Sequence, residues 1–391
     1  MVTKRIFDNA LRRITSGAVK VTYWDGQTIT YGTGKPYVHV TVKDAATGRA
    51  MLKNMSLGFN EGYMDGRIDI DGDPRNIVRL IAENQRQFIK FNATQLLHPN
   101  QRNSKRRQKQ QIQYHYDLGN DFYKLWLDKP MTYSCAYFHK ASDTLEKAQK
   151  QKVDYLLRKL QIKNGQRLLD IGSGWGTLLI AAAQQYNISG LGVTLSKEQL
   201  KHAQAAAWRA GVSDKIKFEL ANYQDLPKRD LRFERIISVG MFEHVGKKNH
   251  HKYYRAVSDM LVPGGISVLH TITQEREHKV DPWIDTYIFP GGYIPSCREI
   301  VHAMPRYNFR LLDYENLRMH YALTLDNWLE RYEKHKKEVV AMYGEKFYRM
   351  WRLYLAHCSS DFRYWNISVS QYVFSKNLNN DLPLTRDYLY H

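Results

Sequence analysis

The stretch "LLDIGSGWG", Leu168 to Gly176, decides the fold of this chain. An apolar run ends in Asp170 and a loop with glycines at 172, 174 and 176, and "TLLIAAAQQY" follows as a helix. Glycines in such a strand-to-helix turn let a ligand approach the backbone closely. The stretch therefore predicts a βαβ unit with a ligand site at the carboxyl edge of a parallel sheet.

The alternation of strands and helices continues beyond this loop. Further strands are predicted at "ISGLGVTL", "KIKFELAN", "FERIISVG" and "ISVLHTIT", with helices at "SKEQLKHAQAAAWRAG" and "HKYYRAVSDML". A long aromatic insertion, residues 274–305, and two helical stretches around 322–343 and 345–358 precede a last strand, "SVSQYVF". The pattern predicts an α/β fold with a doubly wound, mostly parallel sheet.

The N-terminal part of the chain has a different pattern. A short basic amphipathic helix over residues 4–16 precedes three strand-like runs, "VKVTYW", "TITYG" and "YVHVTVKD", and a later helix, "RNIVRLIAENQRQFIKFN". We therefore predict a small α+β domain over residues 1–95, a basic linker over 96–112 and a larger domain over 113–391.

Composition limits the function classes. With 43% hydrophobic and 25% charged residues the chain is globular. It has no apolar run long enough to cross a membrane and no signal peptide core, so we expect a cytoplasmic protein. The net charge of +19 calls for a polyanionic partner. Nucleic acid and an anionic lipid surface both meet that need.

Neither a disulfide nor a metal site is predicted. The three cysteines are far apart and form no CxxC pattern. The aspartates of "YMDGRIDIDGDP" resemble a calcium loop, but Pro74 stands where that loop needs glycine. Cys135, within "TYSCAYF", is then a nucleophile or part of a pocket wall.

The spacing of the glycine loop distinguishes between two classes of ligand. A dinucleotide fingerprint needs GxGxxG, whereas this loop has GxGxG with Thr177 at the third dinucleotide position. Its D-x-G-x-G-x-G spacing resembles motif I of the S-adenosylmethionine-dependent methyltransferases. No carboxylate ends the second strand, which argues against a dehydrogenase; Thr194 and Gln199 stand there instead. Gln199 is either a ligand residue or the partner of Ser196 in a helix capping box.

At this point the chain resembles a known family, the cyclopropane-fatty-acyl-phospholipid synthases and their mycolic acid relatives. The resemblance implies a class I methyltransferase-like fold. The N-terminal 95 residues resemble the extra domain of the phospholipid-acting members, which implies intact phospholipid as the substrate. The motifs that show the resemblance are "YHYDLGNDFYKLWLD", "MTYSCAYF", "LLDIGSGWGTL", "GVTLSKEQ", "GMFEHVG", "VLHTIT", "IFPGGYIPS" and "HYALTLDNW".

The resemblance implies a reaction and a site. A methyl group moves from S-adenosylmethionine to a cis double bond of a membrane acyl chain, a proton leaves the methyl, and a cyclopropane ring closes. A bound bicarbonate is implied as proton acceptor, in a cage of Cys135, Glu243, His270, Tyr321 and the backbone of Ile272. The implied cofactor residues are Tyr133, Ser134, Gly172, Gly174, Thr194, Gln199, Asn222 and Tyr223.

The chemistry is consistent with these residue types. A carbocation must be shielded from water and benefits from aromatic faces, here Tyr133, Tyr137, Phe138 and Tyr321. A cysteine thiolate would capture the cation, so we expect Cys135 to line a pocket and hydrogen-bond a small anion; a plain buried thiol is the alternative. Glu243 either orients the anion or is itself the base.

The acyl chain and the membrane account for the remaining features. Tyr137 and Phe138, with Tyr287 and Phe289 of the insertion "DPWIDTYIFPGGYIPS", are expected to bind substrate. We expect unsaturated phospholipid in an anionic membrane surface as the partner, with no nucleic acid and no metal, and the resemblance suggests a homodimer. For Cys358 we expect a structural role. The alternatives are another methyltransferase, acting on RNA or lipid amines, and a non-catalytic lipid-binding protein.

Overall fold

The computed structural model describes residues 2–88 and 118–390. The chain divides into two compact units. The first contains the described residues of Met1–Gln101 together with Val280–Pro290 and Leu325–Asn366, and the second contains the rest. The predicted linker, 96–112, lies outside the described residues, so the predicted domain boundaries stay a prediction. Two later segments of the chain belong to the first unit, which the linear pattern did not indicate.

The first unit contains a four-stranded sheet with strand order β2-β1-β3-β4. β1 pairs antiparallel with β2 and parallel with β3, and β4 pairs antiparallel with β3. Its strands are β1 (Ala18–Thr22), β2 (Thr28–Gly32), β3 (Val38–Val42) and β4 (Ile68–Gly72). The helices of the N-terminal segment are α1 (Val2–Leu11), α2 (Ala45–Lys53), α3 (Met55–Met64), α4 (Arg75–Glu83) and α5 (Gln85–Phe88).

Side-chain caps decide where α2 and α3 begin, and the sequence pattern did not predict either helix. Asp44 accepts a hydrogen bond from the Thr47 N–H, and Asn54 accepts one from the Leu57 N–H. Glycines interrupt the apolar spacing of both helices, so periodicity alone indicates them weakly. One of these glycines, Gly48, is required by packing, because a Cβ there would lie 2.7 Å from the Trp24 ring.

The second unit contains a seven-stranded sheet with strand order β10-β11-β9-β8-β5-β6-β7. Its strands are β5 (Arg167–Ile171), β6 (Ser189–Thr194), β7 (Ile216–Leu220), β8 (Phe233–Val239), β9 (Leu261–Gln274), β10 (Phe309–Asn316) and β11 (Ile367–Lys376). Its helices are α6 (Asn120–Lys124), α7 (Leu145–Leu160), α8 (Thr177–Gln185), α9 (Lys197–Arg209), α10 (His250–Met260) and α11 (Cys297–Ala303). Two later helices are α12 (Arg318–Lys334), which begins in this unit, and α13 (Lys336–Tyr364), which lies in the first.

The predicted doubly wound, mostly parallel sheet is confirmed. β9, β8, β5, β6 and β7 run parallel, and β11 pairs antiparallel with both β9 and β10. Strand β10 was not predicted, because few of its side chains are apolar and buried. A charged residue of this strand, Asp313, is buried beside Lys159, and the local sequence pattern does not reveal this ion pair.

Both faces of this sheet are covered by helices. Leu168 and Ile237 pack in one apolar cluster with residues of α7, α8 and α9. Their neighbours Leu169 and Ile236 point to the opposite face and pack with residues of α10. Alternation along each strand thus buries both faces, as expected for parallel strands. No helix among the described residues is long and apolar enough to cross a membrane.

A buried asparagine ties the chain after α1 to α4 in the first unit. Asn84 Oδ1 accepts hydrogen bonds from the Thr15 and Ser16 N–H groups at 2.9 and 3.1 Å, and its Nδ2 donates to the Ser16 and Leu80 carbonyls. Asn84→Ala should lower the free energy of unfolding in urea by about 1–3 kcal/mol, since it removes four hydrogen bonds to backbone groups that are at least partly buried. Gln87→Ala, which removes only an exposed hydrogen bond to Thr15, is the control. Equal losses in the two variants would contradict this account.

Candidate cofactor and catalytic site

A cavity of about 140 Å³ lies at the carboxyl edge of the seven-stranded sheet. The loops that follow β5, β6, β7 and β8 form much of its wall, and part of the segment 131–134 lines it as well. Ligand sites of open α/β sheets lie at this edge. All eight predicted cofactor residues line the cavity: Tyr133, Ser134, Gly172, Gly174, Thr194, Gln199, Asn222 and Tyr223.

The glycine loop needs its glycines for conformation and for space. Gly172 and Gly174 have φ angles of +86° and +54°, in the left-handed region that favours glycine. A Cβ on Gly172 would also lie 2.9 Å from the Met241 Cβ. The Gly172 N–H donates to the Val193 carbonyl at 2.9 Å, which holds the loop against the end of β6.

Gln199 lines the cavity and does not complete a capping box. The Ser196 hydroxyl accepts a hydrogen bond from the Gln199 N–H at 3.3 Å, so Ser196 caps α9. The Gln199 side chain instead accepts from the Thr194 hydroxyl at 2.7 Å. Thr194 and Gln199 therefore form one polar group on the cavity wall, whereas a capping box would turn the Gln199 side chain back to the helix start.

Helix α7 holds the segment "TYSCAYF" in place. Gln149 Nε2 donates to the Thr132 and Ser134 carbonyls at 3.1 and 2.9 Å. Lys152, one turn further along the helix, donates from Nζ to the Ser134 hydroxyl oxygen at 2.9 Å. Neither residue was predicted from the sequence. Their signal was present: two polar side chains three positions apart on the apolar face of a helix, where burial requires a partner.

Lys152 and Asp170 are buried at the cavity, and their charges interact. Burial lowers the pKa of Lys152 to about 8, against the opposing effect of the Asp128, Cys135 and Asp170 charges. Burial raises the pKa of Asp170 to about 7, and the Lys152 charge opposes that shift. Loss of water thus pushes both groups toward their neutral forms.

Glu243 lies directly after β8 and contacts β9. Its Oε1 accepts a hydrogen bond of 2.6 Å from the Ile272 N–H. Its Oε2 is buried and has no hydrogen-bond partner among the described residues. Burial raises the pKa of Glu243 to about 7, although hydrogen bonding by the Ile272 N–H and by the Thr271 side chain opposes the shift. A buried carboxylate oxygen without a partner is costly, which indicates a place for a further donor.

His270 is a buried, neutral imidazole on β9. Burial lowers its pKa to about 3, and the charges of Lys152 and Lys159 act in the same direction. Its Nδ1 lies 3.1 Å from the amide nitrogen of Gln371 on β11, and the two residues are register partners. With that amide as donor, Nδ1 accepts and the ring proton is on Nε2.

Cys135 is fully buried, and its thiol interacts with the backbone. The Cys135 Sγ donates to the Ala136 carbonyl at 3.2 Å, and all three cysteines of the chain are free. Burial raises the pKa of the Cys135 thiol, so the thiol stays protonated at neutral pH. A protonated, buried thiol is a poor nucleophile. This arrangement argues against the nucleophile interpretation.

The segment that follows Cys135 packs on the first turns of α12. The Ala136 N–H donates to the Thr324 hydroxyl, and the Phe138 N–H donates to His320 Nδ1, both at 3.0 Å. The Tyr137 ring stacks on the His320 ring with centroids 4.7 Å apart. Tyr321 follows His320 directly on this helix, so Tyr321 and the 135–138 segment belong to the same region of the second unit.

The other predicted residues lie elsewhere. None of the predicted catalytic residues Cys135, Glu243, His270, Ile272 and Tyr321 lines the cavity described above. Tyr287 and Phe289 belong to the first unit, where the Tyr287 hydroxyl donates to Glu61 at 2.8 Å and Phe289 packs edge-on against Tyr354. Cys358 also lies in the first unit, on α13.

No cluster of potential metal ligands occurs among residues 2–88 and 118–390.

The sheet order, the glycine loop and the cavity at the carboxyl edge together define an S-adenosylmethionine-dependent methyltransferase. Comparison with known proteins narrows this class. Residues 103–372 match the family model described as mycolic acid cyclopropane synthetase, and residues 6–93 match a domain of unknown function (DUF7884). The chain belongs to the mycolic acid cyclopropane synthetase family.

Individual relatives agree with this assignment. The chain is 39% identical to the cyclopropane-fatty-acyl-phospholipid synthase of Escherichia coli, over 90% of this chain and 92% of that one. Its structure is similar to that of the cyclopropane synthase MmaA2 from Mycobacterium tuberculosis, with a TM-score of 0.65 and 35% identity, over 68% of this chain and 98% of that one. The mycolic acid cyclopropane synthase CmaA1 complexed with SAH and CTAB matches with the same TM-score and coverage at 34% identity.

The raised pKa of Glu243 predicts a pH-dependent stability difference. Between its ordinary value of 4.5 and about 7, this carboxyl keeps its proton in the folded state and loses it in the unfolded state. The wild type should therefore lose stability as pH rises through this window. Glu243→Gln lacks this titration. The free energy of unfolding of the variant, relative to that of the wild type, should therefore rise by on the order of 1–3 kcal/mol between pH 4.5 and 7.

Urea unfolding of both proteins at several pH values measures this difference. Glu277→Gln is the matched control, because hydrogen bonds from Ser296 and Arg298 lower the pKa of Glu277 to about 2. Above about pH 5.5 Glu277 is then ionised in both the folded and the unfolded state, so the stability of its variant should run parallel to that of the wild type there. If the difference in free energy of unfolding between Glu243→Gln and the wild type does not change with pH over this window, Glu243 is not desolvated.

Proposed function

We propose that this protein adds a methylene group across the cis double bond of an unsaturated phospholipid acyl chain, forming a cyclopropane ring and using the methyl carbon of S-adenosylmethionine. The single observation that supports this most is Glu243, a buried carboxylate with a raised pKa and an oxygen without a partner among the described residues. The name of the Escherichia coli relative agrees with a phospholipid substrate, and its similarity extends over most of the chain.

The cofactor would be held by the residues on the cavity wall. S-adenosylmethionine, when bound, supplies an electrophilic methyl group. Gly172 and Gly174 leave room for it beside the backbone, and the Thr194–Gln199 pair offers polar atoms where the second strand ends. The related CmaA1 protein was solved as a complex with SAH, which is consistent with this assignment.

A dry, aromatic surrounding suits the cationic intermediate of this reaction. The centroid of the Tyr133 ring lies 5.6 Å from that of Tyr123 and 5.3 Å from that of Trp126. Tyr123 and Trp126 are both fully buried. Aromatic faces stabilise a cation without attacking it, whereas water would trap it. The protonated Cys135 thiol is likewise unable to capture the cation as a thiolate would.

Two of the residues predicted to hold bicarbonate, Glu243 and His270, offer groups that suit a small anion. Bicarbonate, when bound, supplies a small base that is not tethered to the chain. Glu243 Oε2 is free among the described residues to accept its hydroxyl hydrogen, and His270 would offer a donor at Nε2. Two others are already engaged within the chain: the Ile272 N–H donates to Glu243, and the Cys135 thiol donates to the Ala136 carbonyl.

Glu243 itself is the second candidate for the proton acceptor. Its pKa of about 7 is matched to proton transfer near neutral pH, which is the property a general base needs. For either assignment Glu243 must lose or share a proton at the site. Its replacement therefore removes activity in both cases.

Charge supports an anionic membrane as the partner. We propose that the protein works at the surface of such a membrane, on the cytoplasmic side, that Tyr137 and Phe138 contribute to acyl-chain binding, and that it forms a homodimer. For Tyr287 and Phe289, which belong to the first unit, substrate binding stays a prediction from the sequence. The net charge of +19 supports attraction to anionic lipid.

The activity is tested with purified protein, S-adenosylmethionine and vesicles of oleoyl phospholipid. Mass spectrometry should detect a gain of one CH₂ per modified acyl chain. Glu243→Gln should reduce the rate by about 10²-fold or more, because it removes the acid–base group. Cys135→Ser should keep most of the activity, since we assign the thiol no covalent step.

Two controls separate this proposal from its alternatives. Vesicles of fully saturated phospholipid should give no product, since they contain no double bond. Methylation of RNA or of lipid amines under the same conditions, without CH₂ gain in acyl chains, would favour a different methyltransferase. Complete loss of turnover in Cys135→Ser, with a covalent adduct trapped in the wild type, would contradict the role given to Cys135.

Membrane attraction should depend on charge and salt. Binding to vesicles should increase with the fraction of anionic lipid and fall when the salt concentration rises from about 50 mM to about 500 mM, because the Debye length shortens from about 14 Å to about 4 Å. Co-sedimentation measures this binding. Indifference to both variables would remove the electrostatic part of the proposal while leaving the chemistry in place.

A further inference from the structure

Lys152 is a buried cation whose hydrogen-bonding capacity is mostly unused. Only 2% of its surface is exposed, and it lines the cavity. Its ammonium has three hydrogens, yet among the described residues it donates only to Ser134 Oγ. Asp128 and Asp170 act on it through their charges but form no ion pair with it in the described chain. A buried lysine without a paired carboxylate is costly, so the site is complementary to an anionic group.

The Lys152 contact also decides what Ser134 can do. An ammonium can only donate, so Ser134 Oγ is the acceptor in their hydrogen bond. The Ser134 hydroxyl hydrogen is then left to find an acceptor, and none is present among the described residues. The Ser134 carbonyl is held by Gln149, which fixes the backbone of Ser134 at the cavity wall. Ser134 is therefore a donor toward whatever occupies the cavity.

S-adenosylmethionine has one anionic group, the carboxylate of its methionyl end. We propose that Lys152 is a positioning residue for the cofactor: it fixes Ser134 as the hydrogen-bond donor to the methionyl carboxylate and places a positive charge behind that bond. The inference rests on the proposed function, because it takes S-adenosylmethionine as the ligand of this cavity.

A purely structural role explains the geometry less well. Lys159, seven residues later on the same helix, shows what a structural buried lysine looks like in this protein. It is fully buried and lies 2.5 Å from Glu315 and 3.6 Å from Asp313, so its charge is balanced by the chain itself. Among the described residues Lys152 forms no such ion pair, and Asp128 and Asp170 act on it only through their charges. The cofactor carboxylate would add a further negative charge near it.

Binding of two ligands that differ at the methionyl end tests the inference. S-adenosylhomocysteine keeps the carboxylate, whereas 5′-methylthioadenosine keeps the nucleoside and the sulfur but lacks the amino-acid part. Isothermal titration calorimetry on the full chain gives both dissociation constants. Lys152→Met should weaken S-adenosylhomocysteine about tenfold to hundredfold, the range for hydrogen bonds to charged groups, and change methylthioadenosine by less than about threefold.

A second variant and a control keep the result interpretable. Ser134→Ala should show the same selective loss, and the loss in the double variant with Lys152→Met should be clearly smaller than the sum of the two single losses, since both residues act on one bond. Lys159→Met, the matched control, should not discriminate between the two ligands. If Lys152→Met does not fold, Lys152→Gln takes its place and should show a selective loss in the same direction, because it removes the charge behind Ser134.

The outcomes separate the two proposals. If a folded Lys152→Met protein binds both ligands equally more weakly, or binds neither more weakly, the inference is overturned. The proposed function stands in that case as long as the wild type binds S-adenosylhomocysteine. Additive losses in the double variant overturn it as well. Failure of the wild type to bind either S-adenosylhomocysteine or S-adenosylmethionine removes the proposed function and the inference with it.

Discussion

Burial of ionisable groups at the carboxyl edge of the seven-stranded sheet is the constraint on which the site depends. Burial moves the pKa values of Lys152, Asp170, Glu243 and His270 toward the neutral form of each group. In such a place each remaining charge or unpaired polar atom has a large energetic effect, because water cannot compensate for it. The ligands that fit are therefore those that supply the missing partners.

Helix α7 holds the segment "TYSCAYF" at the buried carboxyl edge of the sheet. Gln149 and Lys152 hold the backbone and the hydroxyl of the segment "TYSCAYF", and the same segment packs on the first turns of α12 through Thr324 and His320. The cofactor residues and the buried thiol are thus adjacent on one short stretch of chain. Under the proposed function, this adjacency would link methyl-donor binding with the protected surroundings that a carbocation needs.

The sequence was sufficient for the parallel part of the sheet and for the glycine loop. Strong apolar runs and left-handed glycines are local signals, so they can be read without knowing what packs against them. Strand β10 and helices α2 and α3 were missed, because apolar periodicity is weak in all three; in β10, Asp313 is buried only because Lys159, distant in the chain, lies beside it. Lys152 escaped notice for a related reason, since its importance appears only once it is buried.

By itself, the sequence determined the fold class and the position of the cofactor loop, because spacing along strands and turns is a property of the chain. The eight cofactor residues that line the cavity came from the family resemblance. Tertiary structure alone decided that the Ile272 N–H is bonded to Glu243, that Gln371 faces His270, and that Lys152 lies behind Ser134. Each of these pairs joins residues from separate elements. Their protonation and hydrogen bonding depend on burial, which exists only when those elements pack together.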